Sequence, residues 1–224
     1  MTGSERGALR GLYAITPETN DTESLVARVR LAIDGGARLV QYRAKAIERA
    51  LALRQARLIA AECRAAGAIF IVNDAVDLAL ACDADGVHLG RDDMDIAAAR
   101  LRFPRGIIGI SCYAEPERAA RARAAGADYV AIGSMFASPT KRSAVRAPLA
   151  AIAAAKEASR LPVAAIGGIS LANARAVVGA GADMLAVISA LFDAPDVRSA
   201  ARAFSTLFEP AGEPRDARAQ PHAL

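Results

Sequence analysis

Apolar positions along the chain fall into short runs that alternate with longer stretches spaced for a single buried helical face. The first run, residues 11–15, stops at Thr16-Pro17, where proline blocks continuation. Residues 22–34 follow, with Leu25, Val26, Val29 and Leu31-Ala32 on one face and Gly35-Gly36 closing the helix. The same alternation predicts further strands at 38–42, 69–72, 86–89, 107–110, 128–132, 163–166 and 184–188. Helices are expected at 48–65, 76–80, 95–102, 116–125, 149–159, 170–179 and from 189 to about 207. Ser170 is placed as an N-cap and Gly126 as a C-terminal stop.

Several strands open on the same kind of small-residue turn: GGARLV, AGAIFI, DADGVHL, AGADYV and AGADML. Parallel strands need helical crossovers, so a repeating strand–helix unit marks a parallel sheet. Eight units in a chain of 224 residues fit an α/β fold of one domain, the (β/α)8 TIM barrel. A doubly wound open sheet is the runner-up, but no Gly-rich dinucleotide fingerprint follows the first strand. Residues 1–10 read as a flexible lead-in, 11–208 as the barrel, and the proline-rich, polar 209–224 as a loose tail.

Composition narrows the class. Hydrophobic residues make up 54%, enough for a sizeable core, while aromatics are only 4% and tryptophan is absent, which suits small-residue packing. The net charge of +4 comes from Lys and Arg scattered among the acids, not from a basic run, so nucleic-acid binding is a weak reading; a pocket for phosphorylated metabolites would also contribute such a modest positive bias. Cys63, Cys82 and Cys112 lack metal-ligand spacing and sit in apolar contexts, which reads as buried free thiols in a reducing cytoplasm. Neither a secretory segment nor a membrane span is expected. Nothing in the pattern excludes a homo-oligomer.

Chemistry collects at the strand ends, where barrel enzymes place their sites. Asn73 and Asp74 end one strand; His88, Asp92 and Asp93 follow the next. If these strands are parallel neighbours, their carboxylates meet at one rim as oxygen ligands suited to Mg²⁺, which leaves positions open for water and phosphate. The alternative is that these residues only cap the following helices. Arg43 and Lys45 after the second strand, with Lys141 in a long loop, suggest cations for a diphosphate. Gly167-Gly168-Ile169 and Ile188-Ser189 begin helices after the seventh and eighth strands and suggest a monophosphate cradle; close packing and capping are the alternatives. His88 reads as a packed or orienting residue, His222 as irrelevant, and no nucleophile elbow surrounds Ser111-Cys112.

Taken in order, Gln41-Tyr42-Arg43-Ala44-Lys45, Asn73-Asp74, Gly86-Val87-His88-Leu89-Gly90 with Asp93, Gly109-Ile110-Ser111, Ser138-Pro139-Thr140-Lys141, Gly167-Gly168-Ile169 and Ile188-Ser189 resemble the thiamine phosphate synthase family. The resemblance implies condensation of 4-amino-2-methyl-5-hydroxymethylpyrimidine diphosphate with 4-methyl-5-(2-phosphoethyl)thiazole, giving thiamine phosphate and pyrophosphate. It implies Mg²⁺ on Asp74 and Asp93, and the pyrimidine diphosphate on Gln41, Tyr42, Arg43, Ala44, Lys45, Asn73, Ser111 and Lys141. Ser138, Pro139, Thr140, Gly168, Ile188 and Ser189 would hold the thiazole phosphate. Arg43, Lys45, Ser111 and Lys141 would carry catalysis, through a dissociative displacement without a strong general base. Two positions depart from the family pattern: Ala44 replaces an acid between the arginine and the lysine, and Ser138 replaces a threonine. A thiazole phosphate tautomerase on the same barrel, or a phosphometabolite-binding regulator, would need neither the carboxylates nor the diphosphate cations.

Overall fold

The computed structural model describes residues 9–137 and 145–209. Eight strands close into a barrel in sequence order, and every neighbouring pair is parallel. In chain order the elements are β1 (Gly11–Ile15), α1 (Thr22–Asp34), β2 (Leu39–Tyr42), α2 (Arg49–Ala66), β3 (Ile69–Asn73), α3 (Val76–Ala81), β4 (Gly86–Leu89) and α4 (Ile96–Arg102). They continue as β5 (Ile107–Tyr113), α5 (Pro116–Ala124), β6 (Tyr129–Ile132), α6 (Ala150–Ser159), β7 (Val163–Ile166), α7 (Leu171–Gly179), β8 (Met184–Val187), α8 (Ser189–Phe192) and α9 (Val197–Ser205), before a short 3-10 turn at Thr206–Phe208. Among the described residues no helix is long and apolar enough to cross a membrane.

The period-2 alternation of a strand sorts side chains into two cores. Leu12, Val40, Phe70, Val72, Val87, Ile108, Ile110, Val130 and Leu185 face outward into the layer between barrel and helices. Leu39, Ile71, Tyr129 and Met184 fill the barrel interior together with Tyr13, Ile15, Ala131, Ala164 and Ala186. The interior positions nearer the strand ends, Gln41, Asn73, His88 and Ser111, are polar. Polar residues inside an otherwise apolar barrel mark the end that holds the site.

The recurring AGAD turn has a structural reason. Asp85, Asp128 and Asp183, each just before an even-numbered strand, accept the backbone N–H of Phe70, Ile108 and Val163 on the preceding odd-numbered strand at 2.8, 2.9 and 2.9 Å. These donors stand at the start of the barrel, where a carboxylate supplies a charge-assisted hydrogen bond. Arg100 and Lys156 then neutralise Asp128 and Asp183, each at 2.7 Å.

Glycine does a different job at Gly109. A Cβ built there would lie 2.0 Å from the Tyr129 ring, so the absence of a side chain on β5 is what lets that ring lie across the barrel floor. Replacement by alanine overpacks the interior. Gly109→Ala is expected to lose about 1–3 kcal/mol of stability in urea denaturation; an unchanged midpoint would contradict the packing.

Two elements differ from the sequence expectation. β5 continues through Ser111 to Tyr113, three residues beyond the apolar run, because Ser111 and Tyr113 pair with Ala131 and Ile132 across a register irregularity. Polarity there marks an inward-facing position, not a strand end. The expected last helix is split: Pro195 lies between α8 and α9, and Asp196 caps α9 by accepting the Ser199 N–H at 3.0 Å. The three cysteines are buried and free, and burial pushes their thiols up to about 12, 11 and 12 for Cys63, Cys82 and Cys112.

Candidate active site

A cavity of about 800 Å³ opens at the C-terminal ends of the strands, within the range of about 300–1,000 Å³ usual for small-molecule sites. Gln41, Asn73, His88, Ser111, Ile166 and Ile188 bring five different strand ends and the start of α8 to its wall.

At one corner stand the two carboxylates that the sequence singles out. Asp74 leaves β3 with φ of 62°, a left-handed conformation that aspartate adopts more readily than most residues. It does not cap α3, whose N-cap is Ala75 with no side-chain bond. On the next loop Asp95, not Asp93, caps α4 by accepting the N–H groups of Ala97 and Ala98 at 2.9 and 3.4 Å. Helix capping therefore accounts for neither carboxylate. Asp93 accepts the Gly90 N–H at 2.6 Å, and Lys45 Nζ lies 2.9 Å from Asp74 Oδ2. Burial holds the Asp93 carboxyl above the usual carboxylate range; the Gly90 N–H offsets this in part, and the hydrogen-bonded Asp74 carboxylate beside it raises it further. Two hard oxygen donors side by side in one corner fit a divalent cation. Among the described residues no group of three or more His, Cys, Asp or Glu side chains could cage a metal. A two-carboxylate set suits Mg²⁺, which keeps most of its positions for water and phosphate.

The Arg43 guanidinium is held by a residue that sequence reasoning missed. Glu18, in the loop after β1, accepts from Arg43 Nη1 at 3.1 Å and from the Lys45 backbone N–H, while Thr16 Oγ1 accepts the Arg43 N–H at 3.0 Å. Arg43 is thus oriented from the first loop, and Ala44 between the two cations leaves that bond in place. The only signal in the sequence was an acid one residue past Thr16-Pro17, at the same barrel rim.

Beneath the mouth runs a chain of hydrogen bonds across the barrel. Gln41 Nε2 donates to Tyr13 Oη at 2.7 Å, Tyr13 Oη and Tyr129 Oη are 2.7 Å apart, His88 Nδ1 is 2.9 Å from Tyr129 Oη, and His88 Nε2 is 2.9 Å from Ser111 Oγ. Burial raises both phenol pKa values well above the ordinary tyrosine range. Both tyrosines keep their protons at any physiological pH.

Several sequence-designated residues do not reach the cavity. Tyr42 follows the inward Gln41 and so faces outward, buried in the helix layer with its hydroxyl donating to Gln55 Oε1 at 2.7 Å. Ala44 packs against that same layer and is absent from the cavity wall. Gly167 and Ile188 line the cavity, but Gly168 and Ser189 do not. At Gly168 a Cβ would lie 2.3 Å from the Ala137 carbonyl oxygen, so close backbone packing explains this glycine. Ile188, not Ser189, is the N-cap of α8. The Ser170 N–H at the start of α7 is accepted by Asn173 Oδ1 at 2.9 Å. Ser138, Pro139, Thr140 and Lys141 lie outside the described residues. Tyr13, Arg91, Tyr113, Glu115 and Ser134 line the cavity without having been marked by the sequence.

Barrel, strand-end cavity and paired charges together define an enzyme of the (β/α)8 class with its site in the βα loops. The sequence profile of a family described as thiamine monophosphate synthase matches residues 12–191. A thiamine-phosphate synthase of Aromatoleum aromaticum is 55% identical over 202 residues, spanning 90% of this chain and 97% of that protein. One of Thioalkalivibrio sulfidiphilus is 51% identical over 203 residues, spanning 90% and 96%. The solved thiamine phosphate pyrophosphorylase of Pyrococcus furiosus is 40% identical with a TM-score of 0.83, covering 91% of this chain and 97% of that one. The chain belongs to the thiamine monophosphate synthase family; it is an enzyme, a transferase of thiamine biosynthesis.

Proposed function

We propose that this enzyme condenses 4-amino-2-methyl-5-hydroxymethylpyrimidine diphosphate with 4-methyl-5-(2-phosphoethyl)thiazole, releasing pyrophosphate and forming thiamine phosphate. The observation that carries the proposal is the cluster of Asp74, Asp93 and Lys45 in one corner of the cavity, with Arg43 on the same wall. A monophosphate-only enzyme has no use for that cluster. Asp74 and Asp93 would hold Mg²⁺, which when bound neutralises charge on a leaving diphosphate.

Arg43, Lys45 and Lys141 hold the diphosphate, with Asn73 beside them; Gln41 and Ser111 meet the pyrimidine ring. Residues 138–140 with Gly168, Ile188 and Ser189 remain the proposed thiazole phosphate side, Gly168 acting through the backbone it packs against. Tyr42 and Ala44 have no part in ligand contact. The bond from the pyrimidine methylene carbon to the diphosphate oxygen breaks, its electron pair leaving with oxygen; the thiazole nitrogen then supplies the pair for the new C–N bond. No proton must be removed to make the nucleophile, so alignment and leaving-group stabilisation carry the rate.

The test is a coupled assay of pyrophosphate release with both substrates and Mg²⁺. Stoichiometric pyrophosphate and thiamine phosphate are expected. No product from the pair, with isomerisation of a thiazole phosphate alone, would transfer the chain to the tautomerase reading.

A further inference from the structure

We propose that Tyr13, Tyr129 and His88 form a one-directional hydrogen-bond relay that turns Ser111 into a proton donor toward the bound ring, making Tyr129 and His88 positioning residues for the pyrimidine. Five side chains from five strands make the relay: Gln41 on β2, Tyr13 on β1, Tyr129 on β6, His88 on β4 and Ser111 on β5. Its direction follows from counting protons. Gln41 Nε2 can only donate, so Tyr13 Oη accepts there. A phenol has one proton, and both phenols are fully buried and protonated, so the Tyr13 hydroxyl has Tyr129 Oη as its acceptor. Tyr129, accepting from Tyr13, donates its own proton to His88 Nδ1. A neutral imidazole that accepts at Nδ1 carries its proton at Nε2, and that N–H points at Ser111 Oγ. Ser111 therefore accepts from below and has its hydroxyl proton left to give to the cavity. The opposite polarity with the same Gln41 amide would leave the Tyr13 proton without an acceptor in a buried position, which is costly.

The two ends of the relay then present unlike groups to the ligand. Gln41 has spent its amide nitrogen on Tyr13 and keeps a carbonyl oxygen, an acceptor; Ser111 keeps a donor. Both residues line the cavity. That pair matches an aminated nitrogen heterocycle, with an exocyclic amino group as donor and a ring nitrogen as acceptor. The match to ligand rests on the function proposed above; the relay itself does not.

The decisive measurement is the tautomer of His88 by ¹⁵N–¹H correlation of imidazole-labelled full-length protein. The chain has two histidines, so His222→Ala leaves a single imidazole. The neutral Nε2–H form at pH 7.5 is expected, with the Nδ1 resonance shifting in Tyr129→Phe, which keeps the ring and removes the hydroxyl that donates to Nδ1. A neutral Nδ1–H form in the parent, or an imidazolium, would overturn the relay whatever the enzyme turns out to make. In kinetics, Tyr129→Phe is expected to raise KM for the pyrimidine diphosphate by about tenfold, roughly 1.4 kcal/mol, and to leave KM for the thiazole phosphate unchanged. Ser111→Ala should do the same, and the double variant should be no worse than Ser111→Ala alone, since both changes interrupt one path. Additive losses, or equal effects on both substrates, would mean that Tyr129 serves only packing. Should Tyr129→Phe fold poorly, the His88 tautomer of the parent decides the relay by itself, since it needs no substitution in the barrel.

Discussion

Asp93→Asn is expected to lower kcat/KM by about 10²–10³-fold, the cost usual for removing a group that stabilises charge in a transition state. The same variant should melt at a higher temperature than the parent in the presence of a chelator. Asp93 and Asp74 repel one another, and the carboxyl of Asp93 is held above its ordinary range by burial and by that neighbour. An acid whose folded pKa is raised costs the native state stability once the pH exceeds its unfolded value, so a neutral isostere removes a penalty at pH 7. Asparagine can still accept the Gly90 N–H through its own carbonyl, so the loop is retained. A residue kept for folding would behave oppositely, with stability and activity falling together. Loss of activity accompanied by a lower melting temperature would therefore reassign Asp93 to structure.

The second large effect concerns the cations. Arg43→Ala removes a guanidinium that Glu18 holds at the cavity wall, and is expected to cost about 10²–10³-fold in kcat/KM for the pyrimidine diphosphate. Most of this should be recovered by Arg43→Lys only if charge alone matters. Arginine offers a planar fork to phosphate and lysine a point charge, so partial recovery is expected. Glu18→Gln gives the complementary case: the cation survives but loses its ionic anchor. A loss of about tenfold or less is expected there, since the pair is partly exposed and such bridges contribute modestly. Equal losses in Arg43→Ala and Glu18→Gln would mean that Arg43 matters for the loop and not for the substrate.

The barrel could be read because its two periodicities are clean: apolar runs of strand length, helical spacing between them, and glycine or proline at most junctions. The carboxylates and cations stood out for a related reason, since Asp74, Asp93, Arg43 and Lys45 break apolar runs at the ends where barrels do their chemistry. Side-chain direction was the part left unread. The family resemblance carries Tyr42 along with Gln41 in one motif, although adjacent strand residues face opposite layers. Tyr13 and Tyr129 are tyrosines within apolar strands, and nothing local separates a packing phenol from one that bridges the barrel through partners far away in sequence. Glu18 was invisible for the same reason, since its partners lie on another loop. At Gly168 the backbone of residues 136–137 fills the space a Cβ would need, a reason for glycine that the sequence does not display. Long-range contacts decide every case here but Tyr42, and a single sequence carries no direct trace of them.

In the proposed reaction Asp74 and Asp93 grip a divalent ion that in turn grips a diphosphate. Calorimetric titration of the enzyme with inorganic pyrophosphate, with and without Mg²⁺, tests that directly. Pyrophosphate is expected to bind only when Mg²⁺ is present, and Asp74→Asn to weaken that binding by at least about tenfold, as loss of a metal-holding group does. Equal pyrophosphate affinity after chelation, or in Asp74→Asn, would contradict it.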